Sequence, residues 1–425
     1  MHVAIVTPAY LPLPGGGERY VGALAHGLAA RGVAVTVVTS AATAEADLWN
    51  GVAVNDGATV SPLTTTPGDV HVIRLPISPF PGRRRGLMLW RKVMVVLSAL
   101  PGDRTATLLR LAHRFPAIEG LDETLAGLTG VSLIHAFNVS WEYGLVVGHA
   151  AARATGVPLV VTPFAHLGAG AGDRVARNAT MQHPLAHLGA ARRVLVLTSV
   201  ERDGLAGFGL PAARIAVIGG GVDAAPDNLA ASPYWAEADT LPEPYLVFVG
   251  RLSFDKGALH AAEAVLRLRQ RGRAVALALV GSATPEFERF YGGLSAVERA
   301  GLRVLGVLSE SDKHAVLARS RGLLLPSHSD SCGIVLLEAW SHGRPVIAAR
   351  AGGIPGVVDD GQNGLLVQVG DVGGLAAAVE RLLDEESLAR QLGESGRAKV
   401  VGEYTWAAVA ERVHSHYQDI LAAAA

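Results

Sequence analysis

Residues 326–343 read Pro-Ser-His-Ser-Asp-Ser-Cys-Gly-Ile-Val-Leu-Leu-Glu-Ala-Trp-Ser-His-Gly. The run ending in Leu323-Leu324-Leu325 predicts a strand over 321–325, and Gly333 opens an apolar run that predicts a helix from about Ile334. Asp330 then lies in the turn and Glu338 one turn into the helix. A helix start exposes free N–H groups, and its dipole favours anions such as phosphate. Carboxylates beside it can accept from the hydroxyls of a ribose or hexose. The stretch therefore suits a phosphorylated sugar.

The same unit of short apolar run, Gly- or Pro-rich turn and helix recurs outward from this stretch. Strands are predicted at 2–7, 33–39, 131–137, 158–163, 193–198 and 214–218. A second series is predicted at 245–249, 275–280, 302–307, 321–325, 345–349 and 364–369. Tyr20, Val21, Leu24, Leu28 and Ala29 mark one face of a helix ending near Gly32. Strands apolar on both faces that alternate with helices predict parallel sheets covered on both sides. Residues 223–244, with Pro226, Pro233, Pro242 and Pro244 among Asp, Asn and Ser, have the composition of a junction. The expected domains are 1–225, 226–404 and a terminal segment 405–425, whose helix carries Val409, Val413, Tyr417 and Leu421 on one face. Each large domain is expected to be a doubly wound, Rossmann-like α/β sheet. Such sheets bind ligands at the carboxyl ends of their strands, so the expected site is a cleft that the two domains face across.

Composition narrows the function classes. At 425 residues the chain exceeds one ordinary core. A formal charge of −1 gives no global basic field for nucleic acid. Only Lys92, Lys256, Lys313 and Lys399 are lysines among 37 basic residues, so a lysine in a loop is informative. The richness in Ala, Gly and Arg fits a GC-rich bacterial genome. Cys332 is the sole cysteine, which excludes an internal disulfide framework and fits a reducing cytoplasm. The N-terminus has no basic leader before Pro8, and no uncharged stretch reaches the ~20 residues of a spanning helix. No His/Cys/Asp grouping has metal-ligand spacing, so no structural or catalytic metal is expected.

Two further loops carry candidate chemistry. Val249-Gly250-Arg251-Leu252-Ser253-Phe254-Asp255-Lys256-Gly257 follows the first strand of the second series. Its two cations can reach one diphosphate, Arg251 by a bidentate fork and Lys256 as a point charge; the bland alternative is a pair of solvated loop charges. Gly15-Gly16-Gly17-Glu18 follows the first strand and opens the first helix, where glycines let a ligand approach the backbone. No Walker lysine follows, so this is not a P-loop.

These motifs resemble the retaining glycosyltransferases of family 4. The family pattern is Glu, seven residues, Glu, then Ala and a small helix ending at Gly-x-Pro; Glu338, Ala339, Gly343 and Pro345 match it, followed by the paired Gly352-Gly353. Asp330 stands where the family usually has Glu, and Cys332 where an aromatic is usual. The resemblance is strong over 245–370, weaker over 1–40 and 155–225, and faint between 41 and 130. It implies the GT-B fold. It also implies that Arg251 and Lys256 clamp the donor diphosphate, that Glu338 binds ribose, and that Asp330 faces the donor hexose. Asp330 is one methylene shorter than Glu and reaches roughly 1.5 Å less. The structural alternative for Glu338 is an ion pair with Arg344. Backbone N–H groups of Gly333, Ile334 and Val335 would hold phosphate oxygens, and Gly16 and Gly17 match a glycine pair facing the donor phosphates. His166, just after the strand Leu159 to Pro163, matches a His that positions the donor sugar; His135 and His149 compete with it. Cys332 reads as a packing residue rather than a nucleophile.

The expected function is metal-independent transfer of a sugar from a UDP- or GDP-linked donor to an acceptor hydroxyl, with retention and with no cofactor beyond the donor. The acceptor side falls in the first domain, and its class stays open among sugars, lipid-linked glycans and small molecules. Two other enzymes share the architecture, a nucleotide-sugar epimerase and a sucrose or sugar-phosphate synthase; a non-catalytic nucleotide-sugar binding protein is an alternative of a different class. Residues 82–100 join five cations to Met, Trp and Leu, the composition of an amphipathic helix on an anionic membrane or of an ordinary domain-surface helix. The expected location is the cytoplasm, with peripheral contact at the inner face of the membrane.

Overall fold

The computed structural model describes residues 1–423 apart from Pro14, 54–68, 113–114, 168–173, 227–228, 230–231 and 233–243. Pro233 and Pro242 of the expected junction lie outside the described residues. The chain forms two compact units, Met1–Gly219 with Trp406–Ala425, and Gly220–Thr405.

The first unit is built on β1 (His2–Val6), β2 (Ala34–Ser40), β3 (Val70–Leu75), β6 (Leu133–Phe137), β7 (Leu159–Thr162), β8 (Arg193–Val196) and β9 (Ile215–Val217). They form one sheet in the order β3-β2-β1-β6-β7-β8-β9. Every pairing in it is parallel. Val3, Ile5, Ala136, Phe137, Val160 and Val161 are buried on the central strands, which is why those segments read as continuous apolar runs. A two-stranded antiparallel pair, β4 (Ile77–Ser78) with β5 (Ala117–Ile118), sits apart from that sheet. Neither it nor β3 was expected. Val-His-Val-Ile-Arg-Leu in β3 is an edge strand, half-buried at five of six positions, so polar residues interrupt its apolar signal.

The terminal helix Trp406–Ala422 packs on the first helix, Gly16–Ala29, within this unit. Val409, Ala410, Val413, Tyr417 and Ile420 are its buried face, so Ile420 takes the place expected of Leu421. Tyr20 lies edge-on to Trp406 with ring centres 5.2 Å apart. Buried His135 bridges Tyr417 Oη at 2.6 Å and Thr162 Oγ1 at 2.9 Å.

The second unit holds β10 (Tyr245–Val249), β11 (Ala276–Val280), β12 (Leu302–Gly306), β13 (Leu323–Leu325), β14 (Val346–Ala349) and β15 (Leu365–Val367). Its order is β12-β11-β10-β13-β14-β15, again parallel throughout. All twelve predicted strands form. The order reverses at β1/β6 in one sheet and at β10/β13 in the other, and a doubly wound sheet offers its ligand site at such a switch point.

Candidate active site

In the second unit, the loops leaving β10 and β13 meet at the switch point. Lys256 donates from Nζ to Asp330 Oδ2 at 2.9 Å and to the Ser329 carbonyl at 3.4 Å. The loops join closely because Gly257, at φ +79°, passes where a Cβ would lie 2.1 Å from the Pro326 carbonyl oxygen. The His328 N–H donates to the Asp255 carbonyl at 2.8 Å, and Ser327 Oγ to the Ser329 carbonyl at 2.9 Å. Arg251 is exposed and reaches Asp255 at 3.3 Å, a loose surface pair. Burial pushes the Asp255 carboxyl up, but Ser253, Arg251 and Lys256 outweigh it and hold the group below its usual range.

Asp330 does more than the sequence suggested. Its Oδ1 accepts from the Gly333 N–H at 2.8 Å and more weakly from the Cys332 N–H at 3.4 Å. The short side chain folds onto its own turn, which a Glu carboxylate, one methylene further out, would overshoot. The Gly333 N–H expected to meet phosphate is thus already donated. The helix Ile334–Ser341 begins immediately after, so the N–H groups of Ile334 and Val335 have no intrahelical acceptor. Gly352, at φ +53°, explains the paired glycines after β14: a Cβ there would lie 2.1 Å from the Asp330 carbonyl oxygen, which accepts from the Gly353 N–H.

Glu338 is 7% exposed, and its Oε1 lies 2.8 Å from Lys313 Nζ. Arg344, the expected partner in the structural alternative, donates instead to the Ala318 carbonyl. Lys313 comes from the helix Glu310–Arg319 and also holds Glu310 at 2.8 Å. Glu338 Oε2 is buried with no hydrogen-bond partner among the described residues, an acceptor in need of a donor. One residue along, His314 Nδ1 meets His342 Nε2 at 2.7 Å. Burial, then His314 and two arginines, push the His342 pKa down to about 4. Cys332 is buried, with Sγ against Gly220.

In the first unit, Gly16 and Gly17 open the first helix after β1. Gly17 faces the ring of Phe164, whose φ is +48°. Glu18 folds back over the same turn, so that a Cβ on Gly15 would lie 2.0 Å from its Oε2. Burial raises the Glu18 pKa, opposed by its own backbone N–H. His166 follows two residues after Phe164, half-buried, on a cavity of about 310 Å³ shared with Leu87, Met88, Arg91, Phe115 and Trp141. Its competitors are held elsewhere: His135 by Thr162 and Tyr417, His149 by His187 at 2.6 Å. Sequence reasoning missed Glu201, which is 2% exposed and accepts from the Ala165 and Leu197 N–H groups, tying down the loop that carries His166. Burial raises its pKa to about 7. Among the described residues no group of three or more His, Cys, Asp or Glu is placed to hold a metal ion.

Two doubly wound units, one with cations and carboxylates gathered at its switch point, have the architecture of the GT-B class. Residues 15–221 match the glycosyl transferase 4-like domain, and residues 243–385 match the glycosyl transferases group 1 family. The chain belongs to this family of glycosyltransferases. It is 32% identical over 203 residues to a glycogen synthase of Mycobacterium tuberculosis, covering 48% of each chain. It is 28% identical to an alpha-maltose-1-phosphate synthase of Mycolicibacterium smegmatis, covering 73% of this chain and 88% of that one. The chain spans about half the length of the glycogen synthases it matches. A UDP-forming trehalose-phosphate synthase from Burkholderia xenovorans shares the fold with TM-score 0.71 at 15% identity, over 98% of this chain and 100% of that one. Sucrose-phosphate synthase from Thermosynechococcus elongatus does so with TM-score 0.68 at 21% identity, over 99% of both chains.

Proposed function

We propose that the protein transfers a sugar from a nucleoside-diphosphate sugar to an acceptor hydroxyl, with retention and without a divalent metal. The observation that carries this is the second unit's switch point, where Lys256, Arg251 and the Ile334 helix start surround one turn while Glu338 keeps an unsatisfied oxygen. In this reading Arg251 and Lys256 take the diphosphate, and Glu338 Oε2 accepts from a ribose hydroxyl. The Lys256–Asp330 pair holds the ammonium ready. As the bond from the anomeric carbon to the diphosphate breaks, charge grows on the leaving oxygen, and fixed cations and N–H groups stabilise it. The acceptor oxygen bonds to the anomeric carbon on the same face and its proton passes to the leaving phosphate. His166 positions the donor sugar. A UDP-linked donor is the first to test, because a synthase that shares the fold is UDP-forming.

The test is release of nucleoside diphosphate from a panel of UDP-, GDP-, ADP- and TDP-sugars with mixed sugar, sugar-phosphate and lipid acceptors. NMR of the product's anomeric proton then reads the stereochemistry. Retained configuration with one donor supports the reading; turnover without any acceptor supports an epimerase instead.

A further inference from the structure

The helix Arg83–Ala99 in the first unit has a face that the fold does not use. Leu87 and Met94 point into the protein, while Met88, Leu89, Val93, Val96 and Leu100, just past the helix end, stay exposed, Leu89 by 65% and Val96 by 60%. Five of the thirteen exposed large hydrophobics among the described residues gather here. Leu89, Val93, Val96 and Leu100 follow one another at helical spacing, so they form a single stripe.

Charge says what covers it. Residues 80–112 carry seven Lys and Arg against one acid, Asp103, in a chain whose net charge is −1. Arg83, Arg84 and Arg85 crowd the first helical turn, which holds no acid of its own, where the helix dipole disfavours cations. No ion pair among the described residues involves Arg83, Arg84, Arg85 or Lys92. Arg84 lies over the ring of Trp49, while Arg85 and Lys92 are exposed and flank the apolar stripe at helical spacing. A second copy of this face would oppose it with like charge. An anionic lipid surface satisfies both halves, taking the side chains of the stripe among its acyl chains and the cations among its phosphates.

We propose that the first unit docks on an anionic phospholipid bilayer through this helix. The helix lies in the interface rather than across it, since 17 residues with five cations cannot span a bilayer. Met88 both belongs to the exposed face and lines the cavity beside His166, so the lipid surface meets the cavity's rim.

Sedimentation of the full chain with vesicles tests this, using phosphatidylcholine alone and phosphatidylcholine with phosphatidylglycerol, at low and high salt. The wild type should bind only the anionic vesicles and should be released by salt. Leu89→Ser/Val96→Ser and Arg85→Glu/Lys92→Glu, all on exposed positions, should each weaken binding by roughly tenfold or more while keeping the wild-type Tm. Absence of binding to anionic vesicles overturns the proposal, as does equal binding to neutral ones. It is also overturned if both variants bind as the wild type does. Light scattering that shows a wild-type dimer dissolved by Leu89→Ser/Val96→Ser, with vesicle binding unchanged, assigns the face to a second copy and rejects the bilayer.

Discussion

Lys313 Nζ stands 2.8 Å from Glu338 Oε1, with both side chains enclosed to better than nine-tenths. Lys256 stands in the same relation to Asp330 at 2.9 Å. Two of the four lysines in the chain are thus spent on the two carboxylates of one motif. The pairing leaves Glu338 fixed through one oxygen and open through the other.

Lys313→Met leaves a buried carboxylate unpaired, and losing one member of such a pair costs about 3–5 kcal/mol. Calorimetry should show that loss in the second unit, with most of it recovered in Lys313→Met/Glu338→Leu. A role in holding the ribose adds a second readout. Wild type should prefer a ribonucleotide to its 2′,3′-dideoxy analogue, and Lys313→Met should erase most of that preference. Preserved discrimination in a destabilised Lys313→Met would reduce Lys313 to a structural lysine.

Asp330 combines a charge with a turn acceptor, and two substitutions separate them. Asp330→Asn keeps an oxygen for the Gly333 N–H and loses the charge opposite Lys256. Asp330→Ala loses both, and forfeiting the turn bond alone costs about 1 kcal/mol. The Tm order should be wild type, Asn, then Ala. Asp330→Glu overshoots the Gly333 N–H, so it should lower Tm by about as much as losing that one bond, and it should change the transfer rate beyond that stability loss if the acid faces the donor sugar.

Two histidines, His135 fully buried and His342 half-buried, contribute to acid stability. Burial lowers His342 to about 4 and His135 to about 3, both below the unfolded value near 6.5. The unfolded chain then binds more protons between those values, so stability is full above pH ~6.5 and falls as pH drops toward 4. For His342 the loss is on the order of 2–3 kcal/mol. His342→Gln should flatten the dependence of Tm on pH between about 4 and 6.5. An unchanged slope would mean that His342 is already protonated in the folded state.

The strands that line the switch points were legible because both faces are buried, and so was the helix that starts at Ile334. What escaped were features set by tertiary context. β3 is an edge strand whose His71 and Arg74 mask its pattern. Lysine scarcity pointed to Lys256, and the same signal applied to Lys313, which was passed over because it lies 25 residues from Glu338 in sequence. The turn bond from the Gly333 N–H to Asp330 could not be read from spacing, since it depends on the way a shorter acid turns back on its own loop. Glu201 gave no signal, because its partners are backbone N–H groups.

Arg251 and Lys256 should separate on stability. Arg251 pairs with Asp255 at the surface, so Arg251→Ala should leave Tm within the scatter of surface substitutions, whereas Lys256→Ala should lower it by releasing Asp330. Both should weaken nucleoside-diphosphate binding, and the salt dependence of that binding should fall in each.

The proposed donor site is built on the loop after β10. Titration calorimetry with the UDP-, GDP-, ADP- and TDP-sugar panel in EDTA, repeated on Arg251→Ala, tests it most directly. One nucleotide-sugar should bind, indifferent to EDTA and at least tenfold more weakly to the variant, the effect of losing about 1.4 kcal/mol. Binding that survives Arg251→Ala unchanged, or that requires a divalent metal, would contradict it.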